Sequence, residues 1–161
     1  MTEDRIKNIL LVEDDQDFAN LLLSKLEIKG LDCDIAASIS EAKEKLCQNK
    51  YKLISLDVFL GEGNCAEIVK YLQESKEHMN AEAEMIILSS RVNEEFKERM
   101  AAKSIQAFSK MTDLDTYLKQ AEALGSRKMQ EHMDLIFDAM DGMEDSDELA
   151  HLTIDLPELA S

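Results

Sequence analysis

Near its start the sequence reads Ile9-Leu-Leu-Val-Glu-Asp-Asp15, an apolar run that passes directly into three carboxylates. Four consecutive apolar residues predict a short strand that is buried on both faces. Asp15 is a residue type that caps helices, and the segment after it carries Leu22 and Leu26 on one helical face until Gly30 ends it. The stretch therefore predicts a strand, a turn that presents acids, and a helix.

The same strand and helix unit recurs four more times before residue 125. The predicted strands lie over residues 8–12, 33–36, 53–56, 85–88 and 105–109. We expect Ser40 to cap the second helix over Glu41–Gln48, and the Met and aromatic residues of this part to lie in the core. Five such units predict an α/β fold with a parallel sheet and helices on both faces, because parallel strands need crossover connections.

Polar side chains follow the predicted strands at the ends where such sheets bind ligands. Glu13 and Asp14 follow the first strand and Asp57 follows the third. The fourth strand leads into Ser89 and the fifth into Lys110. Three carboxylates in one crevice repel one another unless a cation lies among them, and Mg²⁺ prefers such oxygen ligands. With a hydroxyl and an ammonium beside them, they form a site suited to placing a phosphoryl group on a carboxylate.

Over about residues 7–124, the chain resembles the receiver domain of two-component response regulators. The resemblance rests on four segments, Ile9–Asp15, Ile54–Asp57, Ile87–Ser90 and Phe108–Lys110. The evidence for the resemblance is the order of these four segments at successive strand ends, rather than any one segment. It implies a doubly wound, flavodoxin-like sheet of five parallel strands in the order 2-1-3-4-5. It also implies a stand-alone regulator similar to the chemotaxis regulators.

The resemblance assigns roles to the acidic residues. It implies that Asp57 accepts a phosphoryl group from a sensor histidine kinase or a phosphotransfer protein. It further implies a Mg²⁺ site in which Asp14 and Asp57 are ligands and Glu13 binds the ion through water. Phe59, two residues after Asp57, would offer its backbone carbonyl to the same ion.

By the same resemblance, Ser89 and Lys110 contact the phosphoryl oxygens, and Ser89 shifts towards them on activation. Two positions near Lys110 are among those that depart from the family pattern. Met111 replaces the usual Pro after the Lys, and Ala107 replaces the usual aromatic three residues before it. Phe108 should point to the opposite face of its strand. The departures leave the phosphorylation chemistry intact but argue against the usual output mechanism.

The net charge and the composition of the chain limit the classes of partner that the protein is expected to bind. The chain has 161 residues, with 34 acidic and 18 basic side chains and a net charge of −16. Phosphate backbones repel such a protein, so no nucleic acid partner is expected. The apolar runs are too short to cross a bilayer and the first residues are polar, so we expect a cytoplasmic protein without membrane insertion. Three cysteines without a CxxC pair argue against disulfides and zinc.

The composition changes after residue 125, which predicts a receiver domain over 1–125 and an acidic, Met-rich extension over 126–161. The extension has 10 acidic and 2 basic residues, and a helix is predicted over about 128–141 before a flexible tail. Its apolar face, a candidate partner-binding surface, consists of Met129, Met133, Ile136, Phe137 and Met140. This face either packs on its own receiver, or pairs with a second copy to form a homodimer, or belongs to a disordered appendage.

Two functions remain open from the sequence. The first is a single-domain response regulator that signals by phosphorylation-dependent binding of a downstream protein, whose identity the sequence does not give. The second is an adaptor or scaffold whose receiver is structural and whose tail recruits partners constitutively. A hydrolytic metalloenzyme is disfavoured, because the strand ends supply no His to act as a general base. No known catalytic or DNA-binding output domain fits into the acidic extension of 36 residues, so we expect no separate output enzyme domain.

Overall fold

The structure, a computed structural model, describes residues 6–61, 63–74 and 77–126. The strands of the main sheet in these residues are β1 (Ile6–Val12), β2 (Cys33–Ala36), β3 (Lys50–Leu56), β4 (Glu84–Ser89) and β5 (Gln106–Ser109). The helices are α1 (Gln16–Ile28), α2 (Ile39–Gln48), α3 (Ala66–Gln73), α4 (Glu94–Ala101) and α5 (Leu114–Ser126). A small antiparallel hairpin, Phe59–Leu60 with Gly63–Asn64, follows β3.

The five strands form one parallel sheet in the order β2-β1-β3-β4-β5. This confirms the doubly wound α/β fold predicted from the sequence. β3 begins at Lys50, three residues before the predicted start at Leu53, because Lys50 is paired with Ile6 of β1. Strand pairing thus continues beyond the apolar run, into residues whose side chains gave no strand signal.

Helix α1 begins and ends where its sequence indicates. Asp15 has an extended backbone, and its Oδ1 accepts a hydrogen bond of 3.1 Å from the backbone N–H of Phe18. After Ile28, Gly30 adopts a φ of +81°, the left-handed conformation that glycine adopts at little cost. Both ends of the helix are therefore confirmed, and the acids before it are held in a defined turn.

The predicted cap of helix α2 is wrong. Ser38, not Ser40, is the capping residue, since its hydroxyl accepts from the backbone N–H of Glu41 and its backbone is extended. The Glu41 carboxylate in turn accepts from the N–H of Ala37. The helix therefore starts at Ile39, whose half-buried side chain packs on the core and fixes the start of the helical face.

The core has two layers, one on each face of the sheet. Helices α2, α3 and α4 cover one face, and α1 and α5 cover the other. Neighbouring residues of β5 point to opposite layers, with Ala107 towards the first and Phe108 towards the second, as predicted. The ring of Phe108 lies edge-on to that of Tyr117 of α5, with 5.9 Å between the centroids. The aromatic side chain of β5, that of Phe108, therefore faces α1 and α5.

Not every Met and aromatic residue before 125 is in the core, contrary to the expectation. Phe59 is 50% exposed and Met111 is 80% exposed. Both lie just after a strand end, beyond the reach of the helices that cover the sheet. Their exposure places two large apolar side chains at the edge where the polar strand-end residues meet.

The predicted apolar face of the extension lies outside the described residues. That prediction concerns Met129, Met133, Ile136, Phe137 and Met140, and it stays a prediction, as does the division at residue 125. Among the described residues, each helix is too short or too polar to cross a membrane.

Candidate functional site

The carboxyl ends of four strands bring the predicted site residues to one edge of the sheet. Glu13 and Asp14 follow β1, Asp57 follows β3, Ser89 ends β4 and Lys110 follows β5. Two of them are fixed by backbone hydrogen bonds beyond their own strands. The Asp57 N–H donates to Val12, at 3.0 Å, and the Lys110 N–H donates to Ser89, at 3.1 Å.

Glu13, Asp14 and Asp57 form a cluster of carboxylates. One oxygen from each lies within 4.8 Å of the others. Glu13 is only 3% exposed and Asp57 is 8% exposed, while Asp14 is open to solvent. Like charges at this spacing repel, and burial deprives two of them of water. The cluster therefore needs a positive charge from the protein or from a bound ion.

Lys110 supplies part of that charge. Its Nζ lies 2.6 Å from Oε2 of Glu13 and 3.1 Å from Oδ2 of Asp57. Burial disfavours the ammonium, but the hydrogen bonds and the charges of the two acids outweigh burial and raise the pKa of Lys110. The ring of Phe18 lies 4.5 Å from the same nitrogen, close enough for a cation–π contact. Lys110 is thus held charged and in place.

The ionised form of Glu13 remains destabilised despite its contact with Lys110. Burial is the main reason that its pKa rises to about 7, with a further rise from Asp57 and an opposing effect of the Lys110 hydrogen bond. Its Oε1 accepts from the backbone N–H of Asp15 at 3.1 Å, which orients the side chain. One ammonium therefore does not fully compensate the acids of this cluster.

The donor set fits a hard divalent cation. Three carboxylates with converging oxygens are ligands that Mg²⁺ prefers, and a dication would offset the charge that Lys110 leaves uncompensated. The Gly61 N–H approaches Oδ2 of Asp14 at 3.4 Å, which draws the turn after Phe59 towards the cluster. The predicted use of the Phe59 carbonyl stays a prediction, as do the ligand roles of the three acids.

Ser89 ends β4, the strand next to β3 in the sheet, and is 1% exposed. Its Oγ is 3.5 Å from the backbone N–H of Arg91, so the hydroxyl is only weakly held. The guanidinium of Arg91, an exposed residue of the loop after β4, lies 4.8 Å from the ring centroid of Phe59, so the contact joins two different loops. No spacing in the sequence signals this pair, because it depends on how the two loops fold.

Comparison with known proteins identifies a family. A family model for the response regulator receiver domain matches residues 9–122. A transcriptional regulatory protein, the CpxR homolog of Haemophilus influenzae, is 36% identical over 69 residues, which are 43% of this chain and 30% of that protein. The match thus spans less than a third of the relative's length.

Solved structures agree with the fold. The receiver domain of the Francisella response regulator 1452 has a TM-score of 0.64 at 23% identity, covering 74% of this chain and 96% of that one. A response regulator protein from Burkholderia pseudomallei, crystallised with a phosphorylated aspartic acid, a calcium ion and citrate, has a TM-score of 0.60 at 18% identity. That match covers 85% of this chain and 75% of that one. At these identities the likeness concerns the fold alone.

Proposed function

The chain belongs to the response regulator receiver family, and on this premise we propose that it is a single-domain response regulator. It accepts a phosphoryl group on Asp57 from a sensor histidine kinase or a phosphotransfer protein. It then signals by binding a downstream protein in a phosphorylation-dependent way, in the cytoplasm. One observation carries the proposal: the buried Asp57 carboxylate is bound by Lys110 and lies beside the acids Glu13 and Asp14.

The phosphoryl transfer itself requires little covalent chemistry from the protein. Oδ2 of Asp57 is occupied by the Lys110 ammonium, which leaves Oδ1 to attack the phosphorus of the donor. The new Oδ1–P bond forms as the N–P bond of a phosphohistidine breaks, and the donor imidazole keeps the electron pair. We propose that Lys110 and the Ser89 hydroxyl bind the oxygens of the transferred group. Positioning and charge stabilisation are the main contributions in such reactions.

Glu13, Asp14, Asp57 and the backbone carbonyl of Phe59 are the groups that we propose hold Mg²⁺. When bound, the ion supplies the positive charge that offsets a phosphoryl group carrying nearly two negative charges. The Burkholderia pseudomallei protein supports the idea, since its structure combines a phosphorylated aspartic acid with a calcium ion. The chain's own contribution is to fix the acids and to keep Lys110 charged between Glu13 and Asp57.

The surface around Asp57 suits a protein donor. Phe59 and Met111, both strongly exposed, lie just after the ends of β3 and β5. We propose that an incoming protein covers these two exposed apolar side chains when it binds at this rim. A histidine kinase or a phosphotransfer protein could thus bring its phosphohistidine to Asp57 while covering these two side chains.

An adaptor or scaffold with a structural receiver is the second candidate, and Ala107 favours it. This buried residue of β5 has no ring that could follow a movement of Ser89. In that case the segment 126–161 would recruit partners whether or not Asp57 is phosphorylated. For both candidates we propose that the chain consists of a receiver domain and this extension. Either candidate also allows a homodimer that forms through the extension.

Phosphoryl transfer from acetyl phosphate separates the two candidates. With Mg²⁺ present, the wild-type chain should gain one phosphoryl group by mass spectrometry, and Asp57→Asn should gain none. Asp17→Asn, which removes an exposed acid from the first turn of α1, is the matched control and should be labelled normally. Labelling of the Asp57→Asn variant, or none in the wild type, would refute the phosphoacceptor assignment.

A further inference from the structure

The aromatic ring of Phe18 lies beside the acidic cluster, although no motif in the sequence assigns this residue to the site. Phe18 is the third residue of α1, and the centroid of its ring lies 4.5 Å from Nζ of Lys110. The Lys110 side chain is only 13% exposed, and its ammonium contacts Glu13 and Asp57. The ring is thus a further contact of a largely buried ammonium.

A neutral ring suits this position better than another acid would. The cluster already holds three carboxylates whose charges repel one another, and a phosphoryl group on Asp57 brings nearly two more negative charges. The face of an aromatic ring attracts a cation through its quadrupole while the ring carries no net charge. Phe18 therefore attracts Lys110 without adding to the repulsion, and an aliphatic side chain of similar size would provide no such attraction.

Two hydrogen bonds join the ring to the acid that shares Lys110. The Phe18 N–H donates to Oδ1 of Asp15, and the Asp15 N–H donates to Oε1 of Glu13, both at 3.1 Å. The other oxygen of Glu13, Oε2, lies 2.6 Å from Nζ of Lys110. The short segment from Glu13 to Phe18 therefore supplies both an anionic and an aromatic contact of the ammonium, and the turn that starts α1 sets their spacing.

We propose that Phe18 is a positioning residue for phosphoryl transfer, whose ring keeps the Lys110 ammonium beside Asp57 before the reaction and beside the phosphoryl oxygens after it. The inference rests on the proposed function, because it takes Asp57 as the acceptor. Transfer turns Asp57 into an acyl phosphate, so the contact of Lys110 with this side chain changes during the reaction. Glu13 and the Phe18 ring are contacts that do not change chemically, and together they restrict where the ammonium can move.

Replacement of Phe18 in the full chain tests this role. The variants are Phe18→Leu and a series in which the Phe18 ring carries one, two or three fluorines, which keep its shape but withdraw negative charge from its face. The fluorinated series provides the test even if Phe18→Leu folds poorly.

The matched control is Phe96→Leu. Phe96 is likewise the third residue of its helix, α4, and its N–H donates to the side chain of the capping residue, Asn93, at 2.8 Å. Both phenylalanines are half-buried, but the Phe96 ring packs on the core layer of the other face of the sheet. The control thus reproduces the loss of an aromatic ring near a helix start without the contact to Lys110.

The readout is the rate constant for phosphorylation by acetyl phosphate at saturating Mg²⁺, followed by mass spectrometry. It should fall roughly three- to tenfold in Phe18→Leu, as for a partly buried cation–π contact, and stepwise with each added fluorine, but stay within about twofold in Phe96→Leu. An equal loss in the two Leu variants, or a rate that does not change with fluorination, would mean that Phe18 only packs α1 on the core and would overturn the proposal. A wild type that is not labelled would instead refute the phosphoacceptor assignment, and this role with it, so the two failures are distinguishable.

Discussion

The hydroxyl groups of Ser55 and Tyr117 lie 2.7 Å apart, fully inside the core. Ser55 is on β3, two residues before Asp57, and Tyr117 is on α5, so their hydrogen bond ties the acceptor strand to the last described helix. Removing one partner from a buried pair leaves the other without a hydrogen bond, which costs about 1–3 kcal/mol. The pair is therefore a sensitive point of the fold.

Tyr117→Phe should lower the free energy of unfolding by about 1–3 kcal/mol, because the Ser55 hydroxyl loses its partner. Urea denaturation followed by circular dichroism measures the change. Tyr71→Phe is the control, since its hydroxyl lies near the surface, where water replaces the lost contacts. Adding Ser55→Ala to Tyr117→Phe should recover part of the loss. Equal stability of the Tyr117→Phe and Tyr71→Phe variants would contradict the prediction.

Asp34 should make stability depend on pH in the acidic range. Burial opposes its ionised form, but hydrogen bonds from Lys7, at 2.8 Å, and Tyr51, at 2.6 Å, prevail and lower the pKa of Asp34. A carboxyl whose pKa is lower in the folded state than in the unfolded state stabilises the fold. That contribution is fully present above the unfolded-state pKa and is lost as the pH falls through the folded-state pKa. Asp34→Asn should thus cost roughly 1–2 kcal/mol at pH 7 and progressively less towards pH 3.

Denaturation of the wild type and of Asp34→Asn at a series of pH values measures how the stability cost of the substitution depends on pH. Asp32→Asn, at a neighbouring exposed acid, is the control and should show a small difference at every pH. A constant difference between the wild type and Asp34→Asn from pH 7 to pH 3 would rule out the ionised pair as its source.

Mg²⁺ should stabilise the wild type, because a ligand that binds only the folded state raises the free energy of unfolding. At an ion concentration about 100 times Kd the gain is about 2.7 kcal/mol. Asp14→Ala removes one carboxylate of the cluster and should abolish most of the gain. Thermal unfolding against Mg²⁺ concentration provides the readout, with Asp17→Ala as the control. A gain that persists in Asp14→Ala would exclude Asp14 as a ligand.

The Arg91–Phe59 pair should slow the hydrolysis of the phosphorylated state. The guanidinium and the ring come from the loops that follow Ser89 and Asp57, and we expect the pair to cover one approach to the acceptor. A surface cation–π contact of about 0.5–1 kcal/mol corresponds to a rate change of roughly two- to fivefold. Arg91→Ala should accelerate phosphate release by that factor after labelling with acetyl phosphate. Arg99→Ala on α4 is the control, and equal rates in the two variants would dismiss the shielding role.

Truncation after Ser126 should leave a folded receiver that is still phosphorylated. The cut preserves the Gly125 and Ser126 carbonyls, which accept hydrogen bonds from the side chains of Asn8 and Lys52. If the extension docks or dimerises, removal of 127–161 should change partner binding or the mass in solution, measured by light scattering. Unchanged partners, affinities and mass would show that the extension is a dispensable appendage.

The sequence was sufficient for the parts of the site that follow strands directly. Glu13, Asp57 and Lys110 could be placed together because each comes immediately after an apolar run, and parallel strands align those ends. The strand order itself came from the family resemblance. Burial of Phe108 and Ala107 in opposite layers followed from strand alternation alone.

Features that depend on loop conformation could not be predicted in this way. Ser38 and Ser40 are equally good caps by residue type, and only the path of the chain after β2 decides between them. The contact between Arg91 and Phe59 joins two loops whose shapes the sequence pattern does not specify. The start of β3 at Lys50 depends on pairing with Ile6 of β1, and no side-chain pattern within residues 50–52 indicates that pairing.

The alternation of Ala107 and Phe108 along β5 has a consequence for how such a protein can diversify. A substitution at Ala107 changes the layer that faces α2, α3 and α4, whereas a substitution at Phe108 changes the packing against Tyr117 of α5. Because the sheet lies between the two layers, selection can repack one face while the other is inherited unchanged.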